Sequence, residues 1–118
     1  MKKNYKELIV WQKAVALVTE VYRVTSGFPQ DERFGLTSQM RRAAVSIPSN
    51  IAEGQGRLTK GEFRQCLGYA KGSLLELETQ LLISQNLGFL RDEEAPYGHL
   101  SEVARLLNGL NGLLNSLA

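Results

Sequence analysis

The sequence predicts an all-α protein, an antiparallel up-down-up-down four-helix bundle built as one domain over residues 1–118. Three observations carry this expectation. Apolar residues recur at steps of three and four through four separate segments, the period of an amphipathic helix. No segment alternates apolar and polar residues as a half-buried strand would. The breaks between segments are short and hold glycine, proline or capping residues, which favours antiparallel neighbours. With 118 residues, 43% of them hydrophobic and 22% charged, the chain has the size of one ordinary domain and enough apolar content for a real core.

The first helix is expected from about Glu7 to Ser26, with Leu8, Trp11, Val15, Val18 and Tyr22 as a heptad-like seam and Gly27 and Pro29 as its stop. Asp31 or Thr37 is the expected N-cap of the second helix, ahead of Leu36. Its apolar stripe is Met40, Ala44, Ile47 and Ile51. Pro48 lies inside it, removing one backbone donor and freeing the Ala44 carbonyl, at a cost of ~3 kcal/mol. Ser46, Ser49 and Asn50 can compensate by bonding nearby backbone groups, and a kink is expected before the helix closes at Gly54 or Gly56. Thr59 and Glu62 form a capping box for the third helix, whose seam is Phe63, Leu67, Ala70, Leu74, Leu77, Leu81 and Ser84, ended by Asn86, Leu87 and Gly88. The fourth helix follows Asp92 or Pro96, with Leu100, Val103, Leu107, Leu110, Leu114 and Leu117 as its seam and Asn108, Asn111 and Asn115 on a neighbouring face. Gly61, Gly68 and Gly72 share one side of the third helix, either as tolerated surface positions or as a place where another backbone comes close. Leu75, Leu82, Leu106 and Leu113 fall outside the main seams, a surplus that suggests a second buried face and hence an oligomer.

Composition narrows the function classes. Cys66 is the only cysteine and His99 the only histidine, so an intrachain disulfide is impossible and no metal-ligand motif or cofactor site is expected. Cys66 suits a small core position and His99 a surface or capping one. No apolar run approaches the ~18–20 residues needed to cross a bilayer. No signal-peptide core precedes a cleavage site, so a cytoplasmic protein is expected. The net charge of +2 hides an asymmetry: residues 33–71 carry +5 and residues 72–118 carry −4. A basic middle beside an acidic end implies a polar field across the molecule.

The segment from Gln39 to Gly54 holds the most distinctive pattern. Beside its apolar stripe, Gln39, Arg42, Ser46, Asn50, Glu53 and Arg57 recur at helical steps as a polar one. Three readings compete for it. In the first, Arg41, Arg42, Arg57, Lys60, Arg64 and Lys71 contact phosphates, since a planar guanidinium pairs with phosphate oxygens in bidentate fashion. Tyr69 is then the one nearby candidate for stacking on bases, so single-strand recognition by stacking has little support in the sequence. In the second, Glu53 and Glu76 pair with Arg42 or Arg57 across the second and third helices, and Ser46, Asn50 and Ser73 complete a buried polar network that fixes register. Its oligomeric version sets the arginines of one subunit against the acidic fourth helix of the next, a head-to-tail contact that closes into a ring. In the third, Glu53 and Glu76 form a catalytic pair, but no histidine, nucleophile motif or phosphate-cradling loop accompanies them, and Gly54-Gln55-Gly56-Arg57 is too short and follows a helix. No catalytic residue is therefore assigned, and the protein is not expected to be an enzyme.

The run Arg41-Arg42-Ala43-Ala44-Val45-Ser46-Ile47-Pro48-Ser49-Asn50-Ile51-Ala52-Glu53-Gly54, followed by Arg57, Phe63 and Ala70-Lys71-Gly72-Ser73-Leu74-Leu75-Glu76, closely resembles the 23S rRNA intervening-sequence family. The opening from Leu8 to Trp11 matches as well, and the resemblance covers nearly the whole chain. It implies a bacterial, cytoplasmic antiparallel bundle that assembles as a ring-shaped homopentamer; some members are encoded within sequences inserted in ribosomal RNA genes. A related group, the accessory proteins of diversity-generating retroelements, has a similar bundle and pentamer, carries basic surfaces, and binds nucleic acid and a reverse transcriptase. By that analogy the expected function is non-enzymatic association with nucleic acid, RNA or DNA. The alternative is a structural adaptor that docks a protein such as a reverse transcriptase, another polymerase or a toxin-like partner.

Overall fold

Four α-helices dominate the computed structural model, which describes residues 4–116. They are α1 (Ile9–Thr25), α2 (Leu36–Gln55), α3 (Lys60–Asn86) and α4 (Tyr97–Ser116), with short 3-10 turns at Tyr5–Glu7, Gln30–Glu32 and Asp92–Glu94. No strand occurs among the described residues. Each helix packs on its neighbours in sequence, α4 closes back on α1, and the α2–α3 contact is the most extensive. The bundle measures 46 × 23 × 20 Å. Its long dimension follows α3, whose 27 residues extend about 40 Å at ~1.5 Å per residue.

In the side-chain contacts between neighbouring helices, later positions on one helix meet earlier positions on the other. Between α2 and α3, the Ser84 hydroxyl reaches the Met40 sulfur at 3.4 Å and Ser46 meets Ser73 at 2.7 Å. Between α3 and α4, Arg64 meets Asn115 at 2.7 Å and Gln85 meets Tyr97. Between α1 and α4, Lys13 meets Glu102 at 3.1 Å and Glu20 meets His99 at 3.7 Å.

The core follows the predicted stripes in three helices. Met40, Ala44, Ile47 and Ile51 of α2 are fully buried, as are Ala70, Leu77 and Leu81 of α3, with Leu67, Leu74 and Ser84 beside them and Phe63 half-buried. In α4, Leu100, Val103, Leu107 and Leu114 are buried and Leu110 is half-buried; Leu117 lies outside the described residues. The prediction fails in α1. Its buried face is Val10, Ala14, Leu17, Val21 and Val24, while Trp11 and Val18 are half-buried and Val15 and Tyr22 exposed. The helix carries two apolar stripes of identical spacing about 100° apart, and spacing alone cannot choose between them.

The helix ends show which groups satisfy the orphan backbone. Neither Asp31 nor Thr37 caps α2. Thr37 is buried inside the first turn, and the Glu32 carboxylate accepts the Leu36 N–H at 3.1 Å, an anion placed at the positive end of the helix. The α2 helix runs unbroken through the buried Pro48. Asn50 donates to the Ser46 carbonyl at 2.8 Å and to the Ser46 hydroxyl at 3.1 Å, whereas Ser49 points outward. At α3 the Thr59 hydroxyl accepts the Glu62 N–H at 3.1 Å, the cap expected. The other half of the box differs, because the Glu62 carboxylate accepts from the Thr59 hydroxyl and not from its backbone. The C-terminus of α3 closes as a Schellman motif: Gly88 takes φ +80°, its N–H donates to the Gln85 carbonyl, and the Phe89 N–H donates to Ser84.

One polar group in the core lacks a partner. Gln80 is 5% exposed and its Oε1 accepts no hydrogen bond among the described residues. A buried acceptor left unmade costs roughly 1–3 kcal/mol. Gln80→Met keeps the volume and removes the acceptor, so chemical denaturation of the variant should show a gain of about 1 kcal/mol; a loss of stability would mean that the amide is satisfied in solution.

Candidate functional site

The polar stripe of α2 meets α3 at a small hydrogen-bonded knot. The Ser46 and Ser73 hydroxyls lie 2.7 Å apart and are half-buried, with Asn50 donating to Ser46 from the next turn. Serine at both helices leaves room for this contact, and the shared hydroxyl pair ties the register of α2 to that of α3. Toward the start of α2 the knot opens into a groove of about 340 Å³ lined by Gln39, Arg42, Ala43, Ser46, Ser73 and Glu76. Arg42 and Glu76 are exposed there and form no ion pair with each other.

Glu53 does not join a buried network. Its side chain is 55% exposed and pairs with Arg57 one turn later on the same surface; Arg57 also approaches Glu62 at 3.9 Å. The hydrogen bond from Arg57 to the Glu53 carboxylate, and the charge of that carboxylate, raise the pKa of the guanidinium above its ordinary value. The three residues line a second groove with Asn50, Gln65, Cys66 and Tyr69. Tyr69 is exposed and its hydroxyl accepts from Gln65 at 3.0 Å, while Cys66 is buried. Exposed ion pairs contribute little to stability because water and salt screen them. Glu53→Ala should therefore leave the melting temperature unchanged; a marked fall would place this carboxylate in a protected contact.

Arg41 and Arg42 lie at the other end of α2. Arg41 Nε donates to the Thr25 hydroxyl at 2.9 Å and Nη2 to the Tyr22 carbonyl at 3.4 Å, with the guanidinium 4.5 Å from the centre of the Tyr22 ring. It is thus aimed by neutral acceptors and an aromatic face. A groove of about 600 Å³ runs past it between α1 and α2, bounded also by Arg33, Phe34, Arg42 and Val45. Sequence reasoning missed Tyr22, Arg33 and Phe34 as partners of this site. Phe34 is 88% exposed, with the Arg33 guanidinium 5.3 Å from its ring centre. An aromatic beside arginine in an interhelical link was the available signal.

Arg64 and Lys71 line a fourth groove between α3 and α4, with Asn108 and Asn111 on its other wall. Arg64 donates to Asn115 at 2.7 Å. The asparagine face of α4 therefore forms the neutral side of a basic cleft. Lys60 opens α3 at the helix turn beyond Arg57. The six predicted cations do not form one patch. They divide among the α1–α2 groove, the α2–α3 turn and the α3–α4 groove.

Among the described residues no helix is long and apolar enough to cross a membrane. No curated protein matches the chain. Among solved structures, it is similar to a protein of unknown function from the S23 ribosomal protein family of Bacteroides thetaiotaomicron VPI-5482, with a TM-score of 0.66 and 20% identity over 92% of this chain and 97% of that one. At that identity the likeness concerns the fold. The family model described as 23S rRNA-intervening sequence protein matches residues 6–109, a span that takes in α1, α2, α3, the first part of α4 and every cation discussed above, and the chain belongs to that family.

Proposed function

We propose that the protein is a non-enzymatic, oligomeric, nucleic-acid-associated bundle of the bacterial cytoplasm, with RNA as its ligand. One observation carries the reading: of the six cations, Arg41, Arg42, Arg64 and Lys71 make no ion pair among the described residues, and two of them, Arg41 and Arg64, are held in place by neutral oxygens. A guanidinium oriented by a hydroxyl, a carbonyl or an amide keeps its full charge for an external anion. Arg57 is already engaged by Glu53 and Glu62 and would contribute less. The paired helix contacts support an antiparallel up-down-up-down order, which brings the α3–α4 cleft and the α1–α2 groove to opposite sides of the bundle. Such a distribution suits a phosphate backbone that wraps or bridges subunits better than one short contact.

A second reading, a protein-docking or purely assembling bundle, is favoured by the outer face of α3. Leu75 and Leu82 are about half exposed there, and nothing lies within 4 Å of a Cβ built at Gly68 or Gly72. That stripe fits another helix, and a homopentameric ring is the assembly we propose for it.

Salt-titrated binding to RNA and to DNA separates the readings. Affinity should fall linearly with salt on logarithmic axes, and Arg64→Ala should lower the slope by about 1, the signature of one lost phosphate contact. Absence of binding at low salt rejects the nucleic-acid reading. Light scattering should give a mass several times the 13.1 kDa of the chain, and a monomer rejects assembly.

A further inference from the structure

We infer that the α1–α2 groove binds single-stranded nucleic acid, with Phe34 as the platform on which an unstacked base lies. The inference rests on the nucleic-acid reading above and specifies the form of the ligand and the site that holds it. The groove of about 600 Å³ has the size of a small-ligand cleft and brings three guanidiniums, Arg33, Arg41 and Arg42, to its walls with no carboxylate among its lining residues. The nearest acidic side chain in sequence, Glu32, is not among the lining residues, and its carboxylate accepts the Leu36 N–H at 3.1 Å. The groove therefore calls for an anion. It also calls for a flat apolar group. Phe34 is 88% exposed on a link between helices, where burial does nothing to justify it, and Tyr22 and Val45 continue the apolar surface into the groove. Phosphate-directed guanidiniums alternating with aromatic faces are the combination that holds single strands, because every base has a face to stack and every nucleotide a charge to neutralise. A duplex offers the charge, but its bases are already stacked on one another, so Phe34 has nothing to take from it. An acidic protein segment would satisfy the arginines as well, but it meets the ring only where an aromatic residue happens to fall at the right spacing, whereas every nucleotide carries both a charge and a planar base.

The test compares a labelled oligouridine of about ten nucleotides with an RNA duplex of the same length by fluorescence anisotropy at fixed low salt. The single strand should bind more tightly. Phe34→Ala, at a position too exposed to unfold the bundle, should weaken it roughly five- to a hundredfold while leaving duplex binding unchanged, and Phe34→Trp should retain it. Arg33→Ala should weaken the single strand as well, whereas Arg64→Ala should affect both ligands alike. If Phe34→Ala leaves single-strand affinity unaltered while Arg64→Ala reduces binding, the nucleic-acid reading stands and this groove is not its single-strand site. If Phe34→Ala changes only the oligomeric mass, the groove docks protein and the inference is wrong. If neither nucleic acid binds to the wild-type chain, both readings fall together.

Discussion

Leu77→Ala should destabilise the monomer fold by about 3–5 kcal/mol, whereas Leu75→Ala, two residues away on the same helix, should change it by less than ~0.5 kcal/mol. Leu77 has no exposed surface and sits in the middle of the α3 seam, between Leu74 and Leu81, both buried. Truncation there removes the transfer free energy of three carbons and leaves a cavity that helices packed on both sides cannot close. Against a total stability of ~5–15 kcal/mol for a domain of this kind, the loss is a large fraction of the whole. Leu75 is 50% exposed and Leu82 51%, so their truncation opens no cavity within one chain. The comparison also tests assembly. If the outer face of α3 is buried between copies, Leu75→Ala and Leu82→Ala should lower the assembled fraction in light scattering without lowering the stability of the separated chain. Equal destabilisation of the monomer by Leu75→Ala and Leu77→Ala would overturn the assignment of core and surface leucines.

How much of this was legible in the sequence depended on how many stripes each helix carries. In α2 the stripe Met40, Ala44, Ile47 and Ile51 has no rival of equal strength, because the flanking positions interleave Gln39, Arg41, Ser46 and Asn50 with the smaller apolar residues, and its burial could be read directly. In α1, Val10, Leu17, Val21 and Val24 run beside Trp11, Val15, Val18 and Tyr22 at the same spacing, and the choice between them is made by the partner helices. The cap of α2 was hidden for a related reason: Glu32 reaches Leu36 only because the 3-10 turn folds it back. At the candidate site, helical spacing groups Ser46 with Asn50, and the network reading adds Ser73 from α3; Ser46 bonds both of them. Spacing could not give depth, so Glu53 was grouped with them although the helix turns it out to solvent. Tyr22, Arg41 and Phe34 are separated by up to a helix and a link in sequence. Packing of α1 on α2 creates their groove, and the only local sign of it is the Arg33-Phe34 pair in the link, which does not point to Tyr22 or Arg41.

Gly54→Val should destabilise the protein by about 3 kcal/mol, the upper part of the range for overpacking a closed interface, and Gly54→Ala by about 1–2 kcal/mol. Gly54 is buried in the last turn of α2, and a Cβ built there would lie 2.8 Å from Cys66 Cβ and 2.8 Å from Phe63 Cδ1. The Phe63 ring is half-buried and can rotate aside, but Cys66 Cβ is fixed to the α3 backbone, so relief requires the two helices to part. Alanine gains up to ~1 kcal/mol in helix propensity, which offsets part of its clash; valine adds a branched side chain that gains less and collides more. The glycines of α3 should behave in the opposite sense. With open space around Gly68 and Gly72, Gly68→Ala and Gly72→Ala should each stabilise the isolated chain by roughly 0.5–1 kcal/mol, since only the helix propensity changes. The presence of glycine at these positions then has no explanation inside one subunit, and it gains one if a neighbouring backbone lies against α3. In that case the same two substitutions that raise the melting temperature of the monomer should weaken the oligomer, a pair of opposed effects that tolerated surface positions would not produce.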